Sequence, residues 1–284
     1  MINVLSSGFY TTVQDLGRND YQSLGVPISG AMDHCALKMA NAILGNDENC
    51  AVLEITLVGP KLEFTCNSLI SITGAELPVK LNSDDIQSFT AINVVKGDVL
   101  SFGRFNNGYR SYLGVYGGFQ TELVLNSRSL YAGLTTSSCL KKGDILKILP
   151  KNSHGKRYSN VKFNKNYIDS HLIDVYKGPE FDNLNDFDKD KLLNQEFTIS
   201  KDNNRMAYQL EETLPNELGE MITSLVLPGT IQLTPLGKLI VLMRDCQTTG
   251  GYPRVLQLSE SSINVFAQKK VGDKITFKIK SYNQ

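Results

Sequence analysis

The sequence predicts a mainly β protein made of two barrel-like halves with few helices. Three observations predict it. Short runs of β-branched and aromatic residues recur along the chain, bounded by Gly, Pro, Asn or Asp. A Gly-Asp turn launching a strand occurs at Lys96-Gly-Asp-Val-Leu100, Lys142-Gly-Asp-Ile-Leu146 and Val271-Gly-Asp-Lys-Ile275. Gly supplies positive φ there, and Asp hydrogen-bonds the local backbone. The segment 150–166 is rich in Lys, Asn, Ser and Gly and reads as a linker. It splits the chain into halves, 1–155 and 156–284, each with its own strands and one amphipathic helix.

In order, strands are expected at Phe9-Tyr-Thr-Thr-Val13, Leu53-Glu-Ile-Thr-Leu57, Leu69-Ile-Ser-Ile-Thr73, Val99-Leu-Ser-Phe102 and Ser111-Tyr-Leu-Gly-Val115. The second half adds Phe197-Thr-Ile199, Lys238-Leu-Ile-Val-Leu-Met243, Arg254-Val-Leu-Gln-Leu258 and Ile275-Thr-Phe-Lys-Ile279. A helix is expected over 31–44, with Ala36, Leu37, Ala40, Ile43 and Leu44 on one face. Ser29 or Asp33 is placed to cap its start, and Gly45-Asn46 ends it. A second helix, 261–268, buries Ile263, Phe266 and Ala267; a third, 186–194, is acidic and peripheral.

At 284 residues the chain suits one large domain or two ordinary ones. Lys plus Arg and Asp plus Glu each total 29, so the net charge is zero. That balance argues against a nucleic-acid or membrane-surface protein, which needs a basic excess. The short basic patch His154-Gly-Lys-Arg157 reads as solvated linker. Met1-Ile-Asn-Val-Leu5 lacks the flank and length of a secretory signal, and no apolar run approaches the roughly 18 residues of a membrane span. Five widely spaced cysteines, without a Cys-x-x-Cys pair, suit a reducing cytoplasm. Histidines 34, 154 and 171 form no metal-binding pattern, so no metal is expected.

Candidate site residues cluster at strand ends. Thr11-Thr-Val-Gln-Asp-Leu-Gly-Arg18 releases Gln14, Asp15 and Arg18, and Gly25-Val-Pro-Ile-Ser-Gly-Ala-Met-Asp33 brings Asp33 to a helix start able to hold an anion. Arg110 precedes one strand; Asn204 and Arg205 precede another, where an Arg can fork two bonds onto a carboxylate or phosphate. Arg244-Asp-Cys-Gln-Thr-Thr-Gly-Gly-Tyr-Pro253 packs Asp245, Gln247, Thr248, Thr249, Gly250, Gly251 and Tyr252 behind an apolar strand. It fits a plain strand, turn and strand equally well. There is no phosphate-binding Gly-x-x-x-x-Gly-Lys loop, no Gly-x-Gly-x-x-Gly, no Gly-x-Ser-x-Gly elbow and no biotinyl-lysine motif. The residues alone define a polar cleft without fixing its reaction.

Several blocks together resemble one family: Tyr10-Thr-Thr-Val-Gln-Asp-Leu-Gly-Arg18, Gly30-Ala-Met-Asp33, Ala40-Asn-Ala-Ile-Leu-Gly-Asn46, Leu53-Glu-Ile-Thr-Leu57, Thr73-Gly-Ala75, Arg110-Ser-Tyr-Leu113, Gly178-Pro-Glu180, Asn204-Arg-Met206 and Gln247-Thr-Thr-Gly-Gly-Tyr-Pro253. The chain resembles the allophanate hydrolase subunit 2, or biotin-dependent carboxyltransferase, family from about residue 2 to 279. The resemblance implies two cyclophilin-like β-barrel halves. It implies one component, inactive alone, of an ATP-dependent 5-oxoprolinase complex that opens 5-oxoproline to glutamate. The partners would be two further proteins, one KipI-like and one LamB-type, with ATP used through the complex. Arg18 and Asp245 are the expected catalytic groups, set around a developing anion. An alternative is a carboxyltransferase component using carboxybiotin carried on another chain. A third is a non-catalytic, KipA-type antagonist of a kinase inhibitor. Two departures from the family pattern stand out: Phe119 to Leu130 keeps only Ser127-Arg-Ser129 of a Gly-Ser-x-Ser-Thr block, and Ala207 replaces a Gly.

Overall fold

The computed structural model describes residues 1–151, 165–219 and 221–281. The His154-Gly-Lys-Arg157 patch and most of the 150–166 linker lie outside the described residues. Among those described, 37% are strand and 13% helix, so the chain is mainly β. It divides into two compact units, Met1–Arg18 with Ser29–Ile168, and Asn19–Ile28 with Asp169–Gln284.

The first unit contains β1 (Ile2–Ser6), β2 (Tyr10–Gln14), α1 (His34–Leu44), β3 (Val52–Thr56), β4 (Lys61–Phe64), β5 (Ser68–Glu76), β6 (Val79–Leu81), β7 (Asp84–Asp85), β8 (Ile92–Val94), β9 (Val99–Phe102), β10 (Asn107–Val115) and β11 (Ile145–Leu146). They form a six-stranded sheet, β11-β1-β4-β9-β6-β7, and a five-stranded sheet, β2-β3-β10-β5-β8. One apolar core joins their facing sides: Ile2, Val4, Leu62 and Phe64 from the first meet Val13, Leu53, Ile55 and Leu113 from the second. The barrel expected for this half is therefore not a closed one among the described residues. Between edge strands β2 and β11 runs an irregular segment instead of a strand. It is tied to β2 by Leu130 N–H to the Val13 carbonyl (2.9 Å) and Leu140 N–H to the Thr11 carbonyl (2.8 Å).

Helix α1 covers the other face of the five-stranded sheet, burying Ala36, Leu37 and Ala40 against Val52 and Tyr112. Hydroxyls fasten it: Ser71 donates to the Ala40 carbonyl and Thr73 to the Ala36 carbonyl, both at 2.7 Å. The helix begins three residues later than the apolar pattern suggests. Asp33 keeps extended backbone and its Oδ1 accepts from Ala36 N–H at 3.0 Å, as an N-cap should. Ala31 and Met32 are buried as loop residues.

The three Gly-Asp turns share one chemistry. Gly97, Gly143 and Gly272 have φ of 95°, 92° and 85°. The following Asp98, Asp144 and Asp273 carboxylates accept from the N–H of Val95, Lys141 and Lys270 at 2.8, 2.7 and 3.0 Å.

The second unit contains β12 (Leu172–Lys177), α2 (Asp186–Asn194), β13 (Phe197–Asn203), β14 (Ala207–Thr213), β15 (Ser224–Leu225), β16 (Thr230–Leu233), β17 (Lys238–Leu242), β18 (Thr249–Gly250), β19 (Arg254–Leu258), α3 (Glu260–Phe266) and β20 (Lys274–Ile279). Seven strands close into a barrel, β12-β19-β16-β17-β14-β13-β20. Alternation divides inside from outside. Tyr208, Val241 and Ile231 lie in one cross-strand row and are fully buried. Gln209, Ile240 and Gln232 form the next row, on the opposite face of the same strands. Helix α2 buries Leu192 and Asp188, so it is packed on one side, while Phe187 is exposed. Helix α3 starts one residue earlier than its apolar pattern, because the Ser259 hydroxyl caps it by accepting from Ser262 N–H at 3.2 Å.

At the end of β12, Glu180 grips β19. Its carboxylate accepts from the Arg254 backbone N–H (2.8 Å) and from the guanidinium (3.1 and 2.8 Å). Partial burial pushes the Glu180 carboxyl up, but the Arg254 hydrogen bonds and charge outweigh it and hold the group below the ordinary glutamate range. A depressed folded-state value stabilises the protein above the unfolded glutamate value of about 4.3. That stability is lost as pH falls through the folded value. Glu180→Gln is expected to flatten the acid limb of a plot of denaturation midpoint against pH; an unchanged limb would refute the linkage.

Candidate functional site

In the first unit the residues singled out from sequence are brought together, and they are buried. Gln14, Asp15, Arg18, Asp33 and Arg110 are all within 2% of complete burial. Asp15 is the hub. Its Oδ1 accepts from the hydroxyls of Ser127 and Ser129, each at 2.6 Å, and from Gly17 N–H at 2.9 Å. Its Oδ2 accepts from Arg128 N–H at 2.6 Å. The Arg18 guanidinium donates to the Ser129 carbonyl. Gln14 donates to the Thr12 hydroxyl (3.1 Å) and the Leu130 carbonyl (3.3 Å). The surviving Ser127-Arg-Ser129 fragment is thus the clamp on the Asp15 loop, joining residues over a hundred positions apart.

The Gly30-Ala-Met-Asp33 loop lies directly on that loop. Ala31 N–H donates to the Asp15 carbonyl at 2.8 Å. A Cβ at Gly30 would sit 2.8 Å from the Gly17 nitrogen, and its φ is 86°, so only glycine fits. Below it Glu54, 1% exposed, accepts from Met32 N–H (2.7 Å) and the Tyr112 hydroxyl (3.0 Å) and pairs with Arg110 at 3.6 Å. Burial, then the neighbouring Glu54 charge, pushes the Tyr112 hydroxyl well above its ordinary value, which keeps it a neutral donor. The same oxygen accepts from Asp33 N–H at 2.9 Å, and Asp33 Oδ2 accepts from the Tyr167 hydroxyl at 2.5 Å. In the sequence Glu54, Tyr112 and Ser127 stand only inside the family-like blocks, with no site role expected of them. The visible signal for Glu54 was a charge inside the apolar run Leu53-Glu-Ile.

In the second unit Arg205 and Asp245 form a two-pronged pair. Nε donates to Oδ2 at 2.8 Å and a terminal nitrogen to Oδ1 at 2.9 Å. Their side chains are 7% and 14% exposed. Asn204 Oδ1 accepts from the N–H of Met206 (2.7 Å) and Ala207 (3.1 Å), turning the chain into β14. Arg244 turns elsewhere, onto Glu260. Cys246 is no nucleophile, since burial, reinforced by the Asp245 charge, pushes its thiol up to about 12.

Next to the Arg205–Asp245 pair opens a cleft of about 510 Å³ on the outer face of the barrel. Gln209, Ile240 and Gln232 form its floor; Asn204, Gln247 and Tyr252 are on its walls, with Lys201 and Asp202 at one side. The Thr248-Thr-Gly-Gly-Tyr252 segment is a flap. It is strapped to 221–226 by Met221 N–H to the Gly251 carbonyl (2.9 Å), the β15–β18 pairing and Val226 N–H to the Thr248 carbonyl (3.1 Å). Of the second-unit candidates, Asn204, Gln247 and Tyr252 face the cleft, and Gly250 closes on Gln232. Gln209 and Gln232 went unnoticed in the sequence. A glutamine inside the apolar run Thr230-Ile-Gln-Leu233 was the signal.

The second unit is thus a closed barrel with a carboxamide-lined cleft on its outer face, beneath the Gly250-Gly251 segment. Residues 24–279 match the family model "Carboxyltransferase domain, subdomain A and B", and the chain belongs to that family. It is 33% identical to the C component of 5-oxoprolinase from Escherichia coli, over 98% of this chain and 90% of that protein. It is 31% identical to the corresponding 5-oxoprolinase component of Haemophilus influenzae, over 100% and 93%. The crystal structure of Kluyveromyces lactis urea carboxylase superposes with a TM-score of 0.88 at 27% identity, covering 99% of this chain and 27% of that one. The chain thus spans about a quarter of that solved protein and nearly all of the two bacterial ones.

Proposed function

We propose that this chain is the carboxyltransferase-fold component of a larger enzyme acting on a small amide. The observation that carries the reading is the cleft lining. Gln209 and Gln247 offer paired donors and acceptors, Asn204 offers its N–H side and Gln232 its Oε1, and Lys201 adds a cation. A lactam or urea presents N–H and C=O side by side, which a carboxamide complements without a buried charge. The same donor set fits the ureido ring of a carboxybiotin held on another chain. When bound, that group supplies the carboxyl to be transferred. The chain's residues bind and orient the acceptor amide, and the closing flap excludes water. Asp245, fixed by Arg205 beside the cleft, is the proposed catalytic group.

The family description favours carboxyl transfer, and the likeness to a urea carboxylase favours a urea-type acceptor. The end-to-end match to two 5-oxoprolinase components favours a second reading, ATP-dependent opening of 5-oxoproline with KipI-like and LamB-type partners. One experiment separates them. The chain is co-purified with the products of neighbouring genes, and ADP release is measured with 5-oxoproline, urea and allophanate, with and without avidin. Urea-dependent release blocked by avidin supports carboxyl transfer. Release with 5-oxoproline that avidin leaves untouched supports the second reading. No release with any amide refutes both.

A further inference from the structure

We propose that Gln232 is a positioning residue: it holds the Thr248–Tyr252 flap over the cleft and thereby sets substrate affinity. This rests on the reading of the cleft as the substrate site. Gln232 stands on the outer face of β16, yet is 2% exposed. The flap covers it. Its Nε2 donates to the Tyr252 carbonyl at 3.3 Å, which fixes the amide orientation and assigns the N–H side to the flap. No described donor reaches its Oε1, so the other half of the amide is left as an acceptor at the cleft floor, where a substrate N–H would meet it.

The glycine above explains the close approach. A Cβ at Gly250 would lie 2.6 Å from Gln232 Nε2 and 3.4 Å from its Oε1. No backbone atom is among these near neighbours, so a methyl there would not break the barrel. It would displace the end of a flexible side chain and with it the bond to Tyr252. Gly250 has no positive φ, so its backbone tolerates alanine. The first glycine of Thr-Thr-Gly-Gly-Tyr thus serves the contact with Gln232, a residue eighteen positions earlier.

The test is a double-mutant cycle on Gly250→Ala and Gln232→Ala in the assembled complex. Two readouts are taken: KM and kcat for 5-oxoproline and urea, and hydrogen exchange of the 248–252 amides. Each single variant is expected to raise KM about tenfold, the worth of one neutral hydrogen bond, with kcat within about twofold. Flap amides should exchange faster in both, while the barrel strands keep their protection. Gly250→Ala/Gln232→Ala should be no worse than Gln232→Ala, because the methyl no longer meets the amide. Additive KM effects would overturn the proposal. A loosened flap with unchanged KM would overturn it too, leaving Gln232 a brace in a cleft outside the reaction. If the wild-type complex turns over neither amide, the substrate-site reading fails independently of the exchange result.

Discussion

Gly178→Ala is expected to cost about 3 kcal/mol or more of stability, among the largest effects of any single methyl in this chain. Gly178 directly follows β12, where the chain crosses β19. Its N–H donates to the Val255 carbonyl at 3.0 Å, and Glu180 N–H donates to the Arg254 carbonyl at 3.2 Å. A Cβ would lie 2.1 Å from the Arg254 oxygen, 2.7 Å from its carbonyl carbon and 2.8 Å from the Val255 carbonyl carbon. All three are backbone atoms. β19 is bonded to β12 on one side and β16 on the other within the closed barrel, so it has nowhere to retreat. The new methyl must break the crossing or the ladder. Thermal melts should show a midpoint lower by about 6–12 °C for a unit of this size. Gly103→Ala is the control. The three atoms nearest its methyl would all belong to the Pro78 side chain, at 3.3 Å and with no backbone atom among them, so the midpoint should move little. Equal melts for the two variants would show that the crossing is loose.

Which parts were legible in the sequence follows from where each signal resides. Helix α2 was placed to the residue, and strands β9 and β19 likewise, since local patterning alone determines them. The start of α1 was misjudged because Ala31 and Met32 are apolar for a tertiary reason: they lie beneath the Asp15 loop, not on a helix face. The expected barrel in the first unit became two sheets because the 116–144 stretch bonds to β2 without strand geometry, and apolar runs do not reveal such pairing. In the site, the Asp15, Arg18 and Asp33 blocks were recognisable, but their partners were not. Ser127 and Ser129 reach Asp15 across more than a hundred residues, and Gln232 meets the flap from a strand whose role only the barrel register defines. Polar residues inside apolar runs, Glu54 and Gln232, are the local traces of those long-range contacts.

Asp245→Ala is expected to destabilise the second unit by about 3–5 kcal/mol and to lower turnover of the assembled complex by about 30- to 1000-fold. The two losses have different origins, and a second pair of substitutions separates them. Asp245 holds both prongs of a guanidinium that is 7% exposed. Removing the carboxylate strips a nearly dry cation of its bidentate acceptor, which is the costly way to break a buried pair. Replacing both members by apolar residues of similar volume, as in Arg205→Met/Asp245→Leu, removes both charges together and is often nearly neutral for stability. The double variant should therefore recover most of the denaturation midpoint lost in Asp245→Ala. Its activity should not recover, because the proposed role at the cleft needs the charges themselves, next to the Asn204 turn that leads into β14 and just before the flap that begins at Thr248. Recovery of both midpoint and turnover would make the pair purely structural and would remove Asp245 as the catalytic group. Loss of both would show that the apolar pair fails to pack, and Arg205→Lys, which keeps a charge but loses the fork, then serves as the arbiter. With Arg205→Lys, a midpoint near wild type and a turnover lowered at least tenfold would place the requirement on the bidentate geometry that orients Asp245.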